Sequence, residues 1–139
     1  MIVLRLRGRR VVGGYAEGRA LVSRHPLSFY GGVDPETGVV VERGHDLEGA
    51  RISGVILVFP RGKGSTVGSY TLYQMGRLGT APGAIINRET EIIIATGCAL
   101  AGIPLMDRLE RDPVEAIGTG DYVRVYADRG EVEIEKKNG

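Results

Sequence analysis

Residues 54–70, GVILVFPRGKGSTVGSY, contain the transition that decides the fold. The stretch starts with an unbroken apolar run over residues 54–59, which opens with a glycine and is closed by a proline. Such a run is typical of a short strand that is covered on both faces. Over residues 67–78 apolar side chains recur every three to four positions, and Gly79 follows as a stop signal. The stretch therefore predicts a buried strand, a glycine-rich loop and a helix in immediate succession.

The connecting loop, residues 60–66, is the main candidate for a functional site. It carries two cations, Arg61 and Lys63, for which the neighbouring sequence offers no acidic partner. A glycine-rich loop before a helix presents free backbone N–H groups to an anion. Arginine binds a carboxylate or phosphate in bidentate fashion, whereas lysine acts as a point charge. Ser65 or Thr66 is the expected N-cap of the helix, and capping is the simplest role for Ser65.

The loop does not fit the common nucleotide-binding patterns. The P-loop requires serine or threonine directly after Gly-Lys, but Gly62 and Lys63 are followed by Gly64. The dinucleotide fingerprint needs a third glycine where this chain has Val67. The spacing therefore argues against nucleotide binding, and the two glycines are interpreted as points where the backbone is bare.

Patterns elsewhere predict a β-rich α/β protein with few helices. Further strands are predicted at residues 1–7, 15–22, 84–86 and 91–95, and a hairpin over residues 121–136. A short helix is expected after residues 95–102, ATGCALAG. Glycine makes up 22 of 139 residues, well above the ~7% of an average protein, which argues against an all-helical bundle. A chain of this length fits one domain over residues 1–139.

The composition limits the classes of function. A formal net charge of +1 gives no field that would hold nucleic acid or an anionic membrane, and neither partner is expected. Cys98 is the only cysteine, which fits a cytoplasmic protein and is interpreted as a small buried hydrophobe. One thiolate cannot hold an iron–sulfur cluster. His25 and His45 have no further ligand at metal-binding spacing, so no metal site is predicted.

Four segments, taken together, resemble a known family. They are LSFYGGVDPETGVVVERGHDLEG (27–49), GVILVFPRGKGSTVGSYTLYQM (54–75), APGAIINRETEIIIATGCALAGIP (81–104) and IGTGDYVRVYADRGEVEI (117–134). Their order and content resemble the small subunits of the aconitase X group. The likeness covers nearly the whole chain, and the Pro-Arg-Gly-Lys-Gly-Ser-Thr run is its most specific part.

The resemblance implies a fold, a partner and a reaction. It implies the swivelling β/β/α domain of aconitases as a separate chain, bound to a large subunit that carries an iron–sulfur cluster of the four-iron type. Within the group the likeness is greatest to enzymes that remove water from mevalonate 5-phosphate, giving trans-anhydromevalonate 5-phosphate in an isoprenoid route. In the family pattern the serine of the loop is the proton acceptor, and that position is Ser65 here.

Several assignments follow from combining the resemblance with the loop chemistry. Ser65 is the expected catalytic base, and its neighbours Arg61, Gly62, Lys63, Gly64 and Thr66 are expected to bind the phosphorylated hydroxy acid. Two alternatives stay open. The same scaffold can serve another aconitase X enzyme such as a hydroxyproline dehydratase, or the chain can be a non-catalytic swivel or assembly module.

Overall fold

A computed structural model describes residues 1–137, in which five strands come first and strands then alternate with helices. The strands are β1 (Val3–Arg7), β2 (Arg9–Val12), β3 (Tyr15–Val22), β4 (Val33–Asp34), β5 (Val39–Val40), β6 (Ile56–Phe59), β7 (Ala84–Asn87), β8 (Leu105–Asp107), β9 (Tyr122–Tyr126) and β10 (Glu131–Glu135). The helices are α1 (Gly68–Leu78), α2 (Ile92–Ala101) and α3 (Pro113–Ala116), with a 3₁₀ turn at Ala127–Arg129.

Eight of these strands form one sheet in the order β1-β10-β9-β3-β6-β7-β8-β2. The half from β1 to β3 is antiparallel, and β3, β6, β7 and β8 run parallel. Strands β1 and β2 lie at opposite ends of this order, yet only Gly8 separates them in the chain. The sheet must therefore curl until its two ends meet. A side chain at Gly8 would lie 2.3 Å from Leu109, so the crossing leaves no room for one.

The curled sheet separates two hydrophobic cores. Ile56 and Val58 of β6 belong to a core inside the sheet, together with side chains of the antiparallel half. Leu57 and Phe59 point the other way, into a core that α1 and α2 cover. All four side chains are fully buried. This double coverage confirms the prediction of a strand buried on both faces, because neither face of β6 meets water.

The predicted strand at residues 91–95 is wrong, because this segment begins helix α2. Glu91 is the N-cap, and its carboxylate accepts hydrogen bonds from the N–H groups of Ile93 at 2.7 Å and Ile94 at 3.1 Å. Consecutive isoleucines favour a strand locally, but the cap and the packing of α2 on α1 decide otherwise. The helix expected after residue 102 is likewise misplaced, since residues 95–101 are already helical and β8 follows.

Other predicted elements are confirmed. Strand β3 has the predicted bounds, β7 contains residues 84–86, and the C-terminal hairpin is formed by β9 and β10 around the turn at Ala127–Arg129. Helix α1 ends before Gly79, which is the C-cap and adopts the left-handed conformation with φ +78°. The loop after β6 therefore leads directly into the N-terminal end of helix α1.

Candidate functional site

The loop of residues 60–67 leaves the carboxyl end of β6 and is anchored on one side by Leu27. The N–H of Leu27 donates to the carbonyl of Arg61 at 3.2 Å, and the N–H of Lys63 donates to the carbonyl of Leu27 at the same distance. These two bonds hold the backbone on both sides of Gly62, which is buried. The loop is therefore a fixed scaffold rather than a free connection.

A buried polar network anchors the other side of the loop. Asn87 is fully buried and donates from Nδ2 to the carbonyl of Phe59 at 3.1 Å, while its Oδ1 accepts from the Thr90 hydroxyl at 3.2 Å. The N–H of Thr90 donates to Asp107 at 2.7 Å. Asp107 is also fully buried and accepts two hydrogen bonds from the guanidinium of Arg9, at 2.8 and 2.7 Å. Burial raises the pKa of Asp107, but the hydrogen bonds from Arg9 and Thr90 outweigh this and leave the pKa below its ordinary value.

Ser65 lies exposed at the outer end of this loop, before the first residue of α1. Its hydroxyl oxygen accepts a hydrogen bond from the N–H of Val67 at 3.1 Å, and its carbonyl accepts from Gly68 at 3.0 Å. The N-cap position itself belongs to Val67, which has no capping side chain. The prediction of Ser65 or Thr66 as N-cap is therefore wrong, because the helix begins one or two residues later than the sequence pattern indicates.

The two glycines of the loop allow close packing. A side chain at Gly62 would lie 2.3 Å from Oε1 of Glu91 and 2.6 Å from Ile94. Gly64 has φ +86°, a conformation that disfavours other residues, and a side chain there would lie 2.6 Å from the Ser28 hydroxyl. Gly62 is enclosed by the protein itself, whereas Gly64 lies at the exposed surface.

The structure distributes the predicted binding residues over three hollows. Arg61 lines a hollow of about 380 Å³ that it shares with Pro60 and residues 88–91. Lys63 and Gly64 line a second hollow of about 460 Å³. Thr66 lines a third, of about 290 Å³, between α1 and α2. The two cations therefore line separate hollows.

Lys63 has an acidic partner that the local sequence does not reveal. Its Nζ lies 2.7 Å from Oε2 of Glu42, which corrects the expectation that both cations lack one. Partial burial raises the pKa of Glu42, but the hydrogen bond from Lys63 and a longer one from the N–H of Ser28 bring it below its ordinary value. Arg61, in contrast, is exposed and forms no ion pair with any residue of the part that the structure describes.

Sequence reasoning missed the residues that reach the loop from a distance. Glu42 follows a run of valines 21 positions before Lys63, and Tyr30 lies on the rim of the same hollow. Arg88 lines the hollow of Arg61 and is paired with Asp112. The sequence signal that could have pointed to this hollow is the YGG segment at residues 30–32, because glycines leave the backbone open to a ligand.

The chain offers no site for a metal or cluster within residues 1–137. Cys98 is fully buried, and burial raises the pKa of its thiol, as expected for a small hydrophobe. No group of three or more His, Cys, Asp and Glu residues in this range could hold a metal ion. An iron–sulfur cluster therefore does not fit the residues that the structure describes. Among the same residues no helix has the length and apolar character needed to cross a bilayer.

The fold and the loop define a swivelling β/β/α domain that carries an exposed serine after a buried parallel strand. The aconitase X swivel domain family matches residues 5–134. The chain belongs to this family.

Individual relatives extend over the whole chain. A phosphomevalonate dehydratase small subunit of Methanosarcina acetivorans is 52% identical over 139 residues, covering 100% of this chain and 96% of the relative. Its counterpart in Thermococcus gammatolerans is 55% identical over 131 residues, covering 94% and 98%. The crystal structure of Thermococcus kodakaraensis aconitase X in its holo form superposes with a TM-score of 0.91 at 54% identity, covering 96% of this chain and 99% of that one. The similarity confirms the predicted fold.

Proposed function

We propose that this chain is the small subunit of a two-subunit hydro-lyase that removes water from mevalonate 5-phosphate, with Ser65 as the base. The observation that supports this best is the identity of 50–55% over nearly full length to relatives named phosphomevalonate dehydratase small subunit. The exposed position of Ser65 on an otherwise fixed loop adds geometric support. The product is trans-anhydromevalonate 5-phosphate.

The reaction requires a base for the proton on the carbon beside the carboxylate. A neutral serine is a weak base, so its surroundings must stabilise the alkoxide. The oxygen of Ser65 already accepts from the N–H of Val67. The N–H groups of Gly64, Ser65 and Thr66 make no hydrogen bond within residues 1–137. These donors, together with the following helix N-terminus, favour negative charge at this point.

The proposal gives the chain two tasks, which are proton removal by Ser65 and anion binding by the loop. No cluster fits the described residues of this chain, so the proposal assigns the iron–sulfur cluster to a large subunit. It also places the complex in the cytoplasm, in keeping with the single cysteine, and treats residues 1–139 as one swivel domain.

The deciding experiment is co-purification with the large subunit, followed by a water-loss assay on three substrates. Mevalonate 5-phosphate should be converted, while unphosphorylated mevalonate and hydroxyproline should not. Conversion of hydroxyproline would favour the alternative enzyme of the same group. If the large subunit alone removed water from the substrate, the alternative of a non-catalytic assembly module would be favoured.

The cofactor assignment has its own measurement. Anaerobic reconstitution of the isolated chain with iron and sulfide should give no stable visible absorption, because one buried thiol cannot hold a cluster. A cluster that stays bound to this chain after desalting would contradict the assignment to the large subunit.

A further inference from the structure

A hollow of about 460 Å³ opens beside Lys63 and is separate from the hollow that Arg61 lines. Its floor is almost free of side chains, because Gly31, Gly32 and Gly64 contribute three of its seven lining residues. The other lining residues are Ser28, Tyr30, Glu42 and Lys63. Bare backbone lets a ligand approach main-chain N–H groups closely, which is how glycine-rich loops bind phosphate.

The backbone of these glycines has hydrogen-bonding capacity left over. The N–H groups of Gly31, Gly32 and Gly64 form no hydrogen bond with any part of the chain between residues 1 and 137. Gly31 and Gly64 have φ values of +82° and +86°, and a side chain at Gly32 would collide with the Ser28 carbonyl at 2.1 Å. Other residues are therefore disfavoured at all three positions.

One ion pair forms the charged wall of this hollow. Glu42 holds Nζ of Lys63 at 2.7 Å, and its side chain is only 22% exposed against 47% for the lysine. The N–H of Lys63 is itself bound to the Leu27 carbonyl. The lysine residue is therefore held at its backbone by Leu27 and at its ammonium group by the Glu42 carboxylate.

We infer that this hollow is the subsite for the phosphate end of the substrate, and that Glu42 is a positioning residue that holds Lys63 over it. The inference rests on the proposed function and deepens it. Arg61 then binds the carboxylate end from the neighbouring hollow, because its planar fork suits a carboxylate. Lysine and bare glycines suit a phosphate, whose three oxygens accept hydrogen bonds from many directions.

The test uses the assembled two-subunit enzyme and the variants Lys63→Ala, Glu42→Ala and the double variant. Lys63→Ala should raise KM for mevalonate 5-phosphate by about 10- to 100-fold with little change in kcat, as loss of a charged hydrogen bond predicts. Glu42→Ala should raise KM by a smaller factor. The double variant should be no worse than Lys63→Ala, because Glu42 acts through the lysine.

Inhibition by inorganic phosphate, measured in competition with the substrate, distinguishes the phosphate subsite from the carboxylate subsite. Lys63→Ala should lose this inhibition, whereas Arg61→Ala should keep it while its KM rises. Arg43→Ala is the matched control, since it removes an exposed cation next to Glu42 and should leave phosphate inhibition unchanged. Glu42→Gln keeps a hydrogen-bond acceptor for Lys63, so it should recover part of the loss seen in Glu42→Ala. The inference would be overturned if the KM increases of the two single variants multiplied in the double variant. It would also be overturned if Lys63→Ala kept normal inhibition by inorganic phosphate.

Failure of the subsite and failure of the proposed function give different results. If Ser65→Ala abolishes turnover but the Lys63 and Glu42 variants keep their KM, the base stands and the subsite is wrong. If the complex does not convert mevalonate 5-phosphate at all, the proposed function is wrong. NMR titration of the isolated chain with inorganic phosphate then decides the subsite. The amides of Gly31, Gly32 and Gly64 should shift in the wild type and not in Lys63→Ala, and unshifted amides would overturn it.

Discussion

The loop after β6 and the outer face of the antiparallel strands both carry arginines, but the two regions differ in how these charges are paired. On the antiparallel face, Arg124 contacts Glu17 at 3.1 Å and Glu133 at 3.2 Å, and it lies 5.1 Å from the centre of the Tyr122 ring. On the loop, Arg61 forms no ion pair within residues 1–137. The guanidinium of Arg124 is shared among several carboxylates and has few donors left for a ligand. In the part of the chain that the structure describes, Arg61 has no acidic partner and Lys63 has one, which leaves donors of its ammonium group free. The difference therefore supports the proposal that the loop is the binding surface.

The largest effect that tests this comparison is expected from Ser65→Ala. Loss of a positioned base typically lowers turnover by 10²–10⁴-fold, which is about 3–5 kcal/mol of barrier. Stability should barely change, because the serine side chain is exposed and accepts only one backbone hydrogen bond. Turnover and melting temperature, measured on the same assembled enzyme, separate the two contributions.

Thr66→Ala is the control for the serine. It removes the adjacent hydroxyl, which lines the hollow between α1 and α2, and its effect on turnover should be far milder. Near-normal turnover in Ser65→Ala, or a worse result for Thr66→Ala, would show that the base is misassigned.

The second largest effect should come from the buried network below the loop. Asp107→Asn should lower the free energy of unfolding by about 2–3 kcal/mol at neutral pH, since charged hydrogen bonds to Arg9 and Thr90 are weakened. The pKa of Asp107 is depressed in the folded state. Its stabilisation is therefore complete above the unfolded pKa, about 4, and is lost as the pH falls through the folded pKa.

Denaturant unfolding at several pH values provides this measurement. The stability difference between wild type and Asp107→Asn should be largest near pH 7 and shrink below about pH 4. A difference that stays constant across this range would show that the ionised carboxylate is not what stabilises the network.

A smaller effect is expected for Arg61. Arg61→Ala should raise KM by about tenfold with little change in melting temperature, because the side chain is exposed and the proposal gives it one charged contact to the substrate. Arg61→Lys should restore only part of this loss, since lysine lacks the bidentate fork. Steady-state kinetics of both variants check the prediction, and full activity in Arg61→Lys would argue against a bidentate contact.

The smallest effects should appear on the antiparallel face. Arg5→Ala removes an exposed pair with Glu133, in which the arginine side chain is 71% exposed. Its melting temperature should fall by no more than about 5 °C, and kcat/KM should not change. A drop in kcat/KM with intact folding would mean that this face also contributes to function, and the contrast between the two regions would no longer hold.

Much of the fold was predictable where a local pattern decides it. The apolar run of β6, the helical period of α1 and the alternation in the C-terminal hairpin each depend on residues close together in the chain. For the segment at residues 91–95, the local pattern gave a wrong prediction. Its isoleucines favour a strand, and only the carboxylate of Glu91 at the N-cap and the contact with α1 make it helical.

The candidate site was predictable only in part, for a related reason. The loop could be singled out because its glycines and cations lie within seven consecutive residues, whereas the role of Ser65 as base was predicted from the family resemblance. The pairing of Lys63 with Glu42 spans 21 positions, and the network of Asn87 and Asp107 joins two strands to the loop. Contacts of this kind depend on how the sheet curls, which the spacing of residues along one strand does not determine.

The pairing of β1 with β10 has a consequence for synthesis on the ribosome. β1 is made before the other strands of this sheet, but its partner β10 spans Glu131–Glu135 and is made after all of them. Until those residues emerge from the ribosome, β1 has no partner strand in the sheet, and the sheet cannot close. Contacts between such distant residues are slow to form and leave strand edges exposed meanwhile. We therefore expect the nascent sheet to be prone to aggregation until β10 has been made.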